Sequence, residues 1–139
     1  MKMIEVVAAV ITDDKNRVFC ARRKDEGELA LKWEFPGGKI ELNESHQEAL
    51  KREIKEELSA SIHVGNFIKT VNHSYQSFHL TLHAYFSTVE HGSLVLSEHV
   101  DAQWLPVSSL KDLDWAEADV PVVDYLLEHM KQGGSDDTP

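Results

Sequence analysis

The stretch GGKIELNESHQEALKREIKEELSA, residues 37 to 60, carries the strongest structural signal in the chain. Two glycines open it, which predicts a turn, and no Gly or Pro follows between residues 45 and 60, which predicts a helix there. Ser45 and Glu48 have the S-x-x-E spacing of a capping box, so the helix is predicted to begin at Ser45. An apolar stripe recurs every four residues and would pack on a sheet or helix: Leu50, Ile54, Leu58.

The polar side of this helix concentrates negative charge. At about 100° per residue, Glu53, Glu56 and Glu57 share an arc of roughly 100°. Carboxylates this close raise one another's pKa unless a cation lies between them, and Mg²⁺ prefers oxygen ligands together with substrate phosphates. Glycine lets the backbone approach a ligand closely, so the turn at residues 36–38 could add a carbonyl ligand. The stretch therefore predicts a metal and phosphate site, and the alternative is a solvated helix with i,i+4 salt bridges.

The spacing G-x5-E-x7-R-E-apolar-x-E-E resembles the Nudix box, a motif of one hydrolase family. Seven residues fill it: Gly38, Glu44, Arg52, Glu53, Ile54, Glu56, Glu57. One position departs, since Ser59 stands where the family usually has a glycine that ends the helix in a left-handed conformation. The metal-binding positions are all present, so the resemblance implies an active site.

The chain is similar to the MutT branch of this family from Val6 to about Leu126. The segment ARRKDEGELALKWEFPGGKIE, residues 21–41, keeps the spacing of that branch without a gap. The resemblance implies an α/β (α+β) Nudix fold, an α/β/α sandwich with a mixed central sheet and the Nudix helix beside it. It also implies a hydrolase that cleaves nucleoside triphosphates by attack at the β-phosphorus. The products would be the monophosphate and pyrophosphate, and Mg²⁺, or Mn²⁺ in its place, would be required. The expected role is the removal of oxidised or modified nucleotides such as 8-oxo-dGTP.

The resemblance assigns roles to individual residues. Arg52 would orient the helix acids, Glu53 or Glu98 would accept the proton of the attacking water, and Glu44 would belong to the same catalytic group. The predicted metal ligands are Gly37 through its carbonyl, Glu53, Glu56, Glu57 and Glu98. The predicted substrate-binding residues are Arg23, Glu28, Glu34, Phe35, Gly37, Gly38, Lys39, Phe78 and Asp119, with Tyr75 as a further pocket residue. The aromatic members of this set also suit a plain core, and Glu98 alone would be an ordinary surface acid.

Asp119 bears on the choice of base. Oxidised-guanine enzymes of the MutT branch carry an Asn in the equivalent place, whereas an ionised Asp only accepts hydrogen bonds. It would favour an edge that presents N–H groups, such as the cytosine amino group or the N1/N2 edge of guanine. The opening MKMIEVVAAVI and the ADVP segment also resemble bacterial CTP pyrophosphohydrolases, so cytosine-type and oxidised-purine substrates both stay open. A role for Asp119 as an N-terminal helix acid is the alternative.

The net charge and the cysteine content limit the kinds of molecule that the chain is expected to bind and the compartment in which it is expected to occur. The 139 residues carry a net charge of −10, which disfavours nucleic acid polymers and anionic membranes. A single cysteine, Cys20, excludes an internal disulfide, and no apolar run is long enough to span a bilayer. These features predict a cytoplasmic monomer or homodimer that binds a small nucleotide. Eight histidines are present, but no HExxH motif or Cys/His cluster predicts zinc.

The rest of the chain predicts a single domain over residues 1–131 and a disordered tail over 132–139. Strands are predicted at residues 3–12, 17–23 as the returning strand, 39–41, 62–71, 78–89 and 103–107, with a loop at 24–32 and a second helix at 118–131. Two rival functions stay open. One is a Nudix enzyme for dinucleoside polyphosphates or nucleotide sugars, and the other is a non-catalytic nucleotide-sensing module.

Overall fold

The protein combines a four-stranded mixed sheet, a three-stranded antiparallel sheet and two α-helices. The computed structural model describes residues 1–130. The strands are β1 (Lys2–Ile11), β2 (Arg17–Arg23), β3 (Trp33–Glu34), β4 (Gly37–Lys39), β5 (Ser61–Ser74), β6 (Phe78–His91) and β7 (His99–Pro106). The helices are α1 (His46–Leu58) and α2 (Val120–His129), with 3-10 turns at Val107–Asp112 and Glu117–Asp119. The predicted tail at residues 132–139 lies outside the described residues, and the single-domain interpretation stays a prediction.

Strand pairing divides the expected central sheet into two. The larger sheet has the order β4-β1-β6-β5, in which β1 and β6 are parallel and the other pairs antiparallel. The smaller sheet has the order β3-β2-β7. The prediction that β2 returns along β1 is wrong: a single bridge, Thr12 to Val18, joins them, and β2 pairs with β3 and β7 instead. The Asp13 carboxylate accepts hydrogen bonds from the backbone and side chain of Arg17, which fixes the turn that carries the chain into the second sheet.

Alternate residues of β1 pack on opposite sides of the sheet, as the pleat of a strand requires. Val7 and Ala9 contact the apolar stripe of α1, while Ala8 and Val10 share a core with the buried face of α2. The predicted α/β/α arrangement is therefore confirmed. Leu50, at the centre of the stripe, is fully buried, and its burial stabilises the docking of α1 by about 2 kcal/mol.

Both ends of α1 follow the local sequence. Ser45 and Glu48 form the predicted capping box, in which the Ser45 hydroxyl accepts from the Glu48 amide at 3.0 Å. Ser59 adopts a left-handed conformation with φ 61° and ψ 28°, and its amide donates to the Lys55 carbonyl at 3.1 Å. The serine thus ends the helix as a glycine would, at a cost of about 1–2 kcal/mol in backbone strain.

The glycine segment departs from the expected turn. Gly37 and Gly38 lie in the short strand β4, paired with Ala8 and Val7 of β1, and neither is among the residues with positive φ. The strand predicted at residues 39–41 is therefore displaced: β4 begins and ends two residues earlier and shares only Lys39 with the predicted range. Among residues 1–130, no helix is long and apolar enough to cross a membrane.

Candidate active site

A cleft of about 630 Å³ lies between β1, β4, the polar side of α1 and the residues that lead into α2. Glu53 and Glu57 of α1 line it together with Gly37 and Gly38, and the Glu53 carboxylate lies against Gly38. Asp119 and aromatic side chains line the same cleft. Two of the predicted acids, Glu53 and Glu57, therefore share one cavity with the glycine strand and do not extend into solvent.

Gly37 and Gly38 lie so close to neighbouring atoms that neither position has room for a side chain. A Cβ on Gly37 would overlap the Val7 carbonyl oxygen, and a Cβ on Gly38 would overlap the Glu53 carboxylate. Any side chain at position 38 would displace Glu53 from the cleft. The absence of a side chain at Gly38 is what allows the Glu53 carboxylate of α1 to lie against the backbone of β4.

Negative charge in the cleft is incompletely neutralised by the protein. Burial, followed by the charge of Glu53 and a hydrogen bond with it, raises the pKa of Glu57 from its ordinary value of 4.5 to about 8. The charges of Glu34 and Glu98 act in the same direction. A set of crowded carboxylate oxygens with a partly buried member is the donor set that a hard divalent cation prefers, so these residues fit Mg²⁺.

Arg52 joins the helix acids to the preceding loop. Its guanidinium forms a bidentate pair with Glu44, with N–O distances of 2.7 and 3.0 Å, and donates to the Lys39 carbonyl at 2.9 Å. It also donates to Glu53 at 2.9 Å and to Glu56 at 3.2 Å. The hydrogen bonds to Glu44 are the main reason that the pKa of the guanidinium lies above its usual range. Arg52 and Glu44 thus position Glu53 without lining the cleft themselves.

The other two predicted metal ligands lie at the margin. Glu56 is mostly exposed and turns toward Arg52. Glu98 lines a second cavity of about 270 Å³ together with Glu57, and its carboxylate lies 3.6 Å from the Lys24 ammonium. Ser97 holds this loop against α1, because its hydroxyl donates to the Glu57 carbonyl at 2.8 Å.

A second polar group, formed by Arg23, Glu34 and His99, connects the two cavities. One Glu34 oxygen lies 3.1 Å from Arg23 Nη1, and the other lies 2.8 Å from His99 Nε2. Arg23 Nε and His99 Nδ1 are buried without a hydrogen-bond partner among the described residues. Sequence reasoning singled out Arg23 and Glu34 but missed His99, whose only sequence signal is its place next to Glu98.

Asp119 also lines the cleft, and it is 4% exposed. Its Oδ1 accepts from the Phe35 amide at 3.2 Å, and burial, aided by the charge of Glu34, raises the pKa of Asp119 well above its ordinary value. The raised pKa favours the neutral acid, which would donate a hydrogen bond as well as accept one, so the role expected of Asp119 in reading the base stays a prediction. Tyr75 and Phe78 line the cleft nearby, with ring centroids 5.0 Å apart.

Two further predicted substrate residues differ in placement. Lys39 lines the cleft. Glu28 does not line it, because its carboxylate accepts from the Gln76 amide at 2.6 Å and from the Ser77 hydroxyl at 2.7 Å. These bonds lower the pKa of Glu28 and fasten its loop to the turn between β5 and β6. Its assignment as a nucleotide contact stays a prediction.

Comparison with known proteins gives a consistent result. The family model described as NUDIX domain matches residues 6–125. The chain is 36% identical to the CTP pyrophosphohydrolase of Escherichia coli K12, over 91% of this chain and 93% of that protein. It is 28% identical to the 8-oxo-dGTP diphosphatase of the same organism, over 91% and 98% of the two chains. The solution structure of the E. coli ORF135 protein superposes with a TM-score of 0.78 at 35% identity, covering 92% of this chain and 91% of that one.

The family match, the fold and the arrangement of α1 against β4 agree with one another. The family is typically dependent on a divalent metal, and the acids in the cleft fit one. The predicted hydrolase class and α+β Nudix fold are both confirmed. The chain belongs to the Nudix family and is a MutT-like pyrophosphohydrolase that acts on nucleotide anhydride bonds.

Proposed function

We propose that this enzyme hydrolyses a nucleoside triphosphate to the monophosphate and pyrophosphate, with Mg²⁺ as its metal and a cytosine-type base as its preferred substrate. The observation that carries this proposal is the single cleft that contains both the acids of α1 and the buried carboxyl of Asp119. A nucleotide would lie with its phosphates beside Glu53 and Glu57 and its base against Asp119. One water is consumed, and with attack at the β-phosphorus its oxygen would be part of the pyrophosphate.

The residues that would hold the metal are Glu53 and Glu57, joined by the Gly37 carbonyl, Glu56 and Glu98. Mg²⁺, when bound, offsets phosphate charge and lowers the pKa of a coordinated water. Glu53 or Glu98 would accept the proton of the attacking water, and Arg52 positions Glu53 through the hydrogen bond of 2.9 Å. Arg23 lines both cavities and would donate to a phosphate oxygen.

The base preference rests on the protonation of Asp119. A neutral carboxyl presents one donor and one acceptor side by side, and the cytosine edge presents an amino donor beside the N3 acceptor. The raised pKa of Asp119 favours this neutral form. The half-buried ring of Phe78 and the buried ring of Tyr75 supply apolar surface for stacking. The similarity to a CTP pyrophosphohydrolase supports the same choice.

Oxidised guanine nucleotides are the second candidate, favoured by the similarity to 8-oxo-dGTP diphosphatases. The Hoogsteen edge of 8-oxoguanine also presents a donor beside an acceptor, so a neutral Asp119 does not exclude it. We further propose a cytoplasmic location. The single cysteine supports it, because a chain that can form no internal disulfide suits a reducing compartment.

A turnover screen tests the proposal. Pyrophosphate release with Mg²⁺ is measured for CTP, dCTP, 5-methyl-dCTP, dGTP and 8-oxo-dGTP, and product formation for a dinucleoside polyphosphate and a nucleotide sugar. The highest kcat/KM is expected for a cytosine nucleotide, with Glu53→Gln inactive and Glu128→Gln, an exposed acid on α2, unchanged. Preference for 8-oxo-dGTP would support the second candidate. Preference for a dinucleoside polyphosphate or nucleotide sugar would contradict the proposal, and the absence of turnover on every substrate would favour a sensing module.

A further inference from the structure

A second cluster of ligand-type side chains lies outside the nucleotide cleft. It consists of Glu5 of β1, His46 at the start of α1 and His83 of β6. Glu5 Oε2 lies 2.6 Å from His83 Nε2, and the rings of His46 and His83 stack with centroids 4.3 Å apart. One ligand atom from each of the three residues lies within 4.8 Å of the other two. None of the three lines the cleft that contains Glu53 and Glu57.

The fold explains why residues so distant in sequence meet here. The parallel register of β1 and β6 pairs Val7 with His83, so Glu5 and His83 extend from the same face of the sheet. Packing of the α1 stripe on that face places His46, the first residue of the helix, directly over His83. The spacing along the chain carries no zinc motif, which is why the sequence did not predict this cluster.

Each imidazole is already oriented by a neighbouring hydroxyl. His83 Nδ1 lies 2.8 Å from Thr70 Oγ1, and His46 Nδ1 lies 2.7 Å from the Tyr85 hydroxyl. These bonds involve Nδ1 of each ring, and Nε2 of His83 already contacts the Glu5 carboxylate. A hydrogen bond that fixes the nitrogen away from the ion is typical of histidines that bind metals. Burial, and the neighbouring His83, lower the pKa of His46, which favours the neutral form that a metal requires.

We propose that Glu5, His46 and His83 bind a transition-metal ion of the Zn²⁺ type, separate from the Mg²⁺ of the nucleotide cleft. Two imidazoles and one carboxylate form a known Zn²⁺ ligand set, with metal–ligand distances of about 2.0–2.2 Å. Binding requires the contact between Glu5 and His83 to open to about 3.3 Å, a tetrahedral ligand separation. The Glu5 side chain is 58% exposed, which leaves it room to make that movement. The bound ion would fasten the first turn of α1 to two strands of the sheet.

Zn²⁺ binding to the full-length chain is measured by competition with a chromogenic chelator. Mg²⁺ is present in large excess so that it occupies the carboxylates of α1 in the nucleotide cleft. The matched control is His79→Gln, since His79 lies on the same strand and face but pairs with Ser74 and Asn72. One Zn²⁺ per chain is expected. His83→Gln and His46→Asn should each weaken its binding by on the order of 100-fold, whereas His79→Gln should not change it.

A second readout identifies the ligands. Co²⁺ in place of Zn²⁺ should give the visible absorption of a four-coordinate ion in the wild type and lose it in His46→Asn. Melting curves in EDTA show that each variant is folded. The proposal is overturned if Zn²⁺ does not bind, or if the histidine variants bind it as tightly as the wild type. If binding is lost in Glu56→Gln/Glu57→Gln instead, the ion lies among the carboxylates of α1, and the proposal is also overturned.

Discussion

Replacement of Glu57 by the neutral isostere glutamine is expected to stabilise the metal-free protein, by an amount that depends on pH. The pKa of Glu57 is about 8 in the folded protein and near 4.5 in the unfolded chain, because burial and the charge of Glu53 oppose its ionisation. A group with a raised folded pKa contributes its full stability below the unfolded pKa and loses it as pH rises through the folded pKa. The wild type should therefore lose stability between pH 4.5 and 8, and Glu57→Gln should not lose this contribution.

The size of the effect follows from the two pKa values. Their difference corresponds to about 5 kcal/mol at 1.36 kcal/mol per pH unit, and screening at this partly exposed carboxylate leaves about 2 kcal/mol. For a chain of this length, about 2 kcal/mol corresponds to a Tm difference of about 6–8 °C above pH 8. The difference should be smallest at pH 5.

Thermal melts in EDTA at pH 5 and pH 8.5, followed by circular dichroism, measure this difference, with Glu128→Gln as the control. Excess Mg²⁺ should raise the Tm of the wild type at pH 8.5 much more than that of Glu57→Gln, because the ion binds the ionised carboxylate. The reasoning is refuted if Glu57→Gln differs from the wild type by the same amount at both pH values. It is also refuted if Mg²⁺ raises both Tm values equally.

Three further variants test other parts of the site. Arg52→Lys keeps the charge but loses the bidentate pair with Glu44, so kcat should fall about 10- to 100-fold with little change in KM; a rise in KM with kcat unchanged would contradict this. Gly38→Ala should weaken Mg²⁺ binding by at least about tenfold, because the new Cβ displaces Glu53, and unchanged binding measured by calorimetry would contradict it. Asp119→Asn, which keeps one donor and one acceptor, should retain kcat/KM for CTP within about tenfold, whereas Asp119→Ala should lose at least about 100-fold. Equal losses in the two Asp119 variants would mean that the wild-type carboxyl is ionised.

Local features of the sequence predicted α1 and its acids. The capping box, the apolar stripe and the Nudix spacing all lie within residues 37–60, and each acts through neighbours along one helix. The structure adds that Ser59 takes the left-handed conformation itself, so the unusual residue does not move the end of the helix. The roles of Asp119 and Glu98 were predicted from the family resemblance rather than from local sequence, because both residues lie far from α1 along the chain.

Features that depend on strand pairing were predicted poorly. The prediction that β2 pairs with β1 was wrong because two strands joined by a short turn need not pair. Here the turn at Asp13 directs β2 to another sheet. His99 was missed because its contact with Glu34 spans two strands of the smaller sheet. The environment of Asp119 was likewise not readable from its own helix, because the amide that donates to its carboxylate belongs to Phe35, 84 residues earlier in the chain.

Titration with Mn²⁺, followed by the electron paramagnetic resonance of the free ion, tests the central claim most directly. If the acids of α1 beside β4 form the metal site, the wild type and Glu128→Gln should bind Mn²⁺, and Glu53→Gln/Glu57→Gln should bind it at least about 100-fold more weakly. Mg²⁺ should displace the bound ion. Equal affinity of the double variant and the wild type for Mn²⁺ would contradict the account.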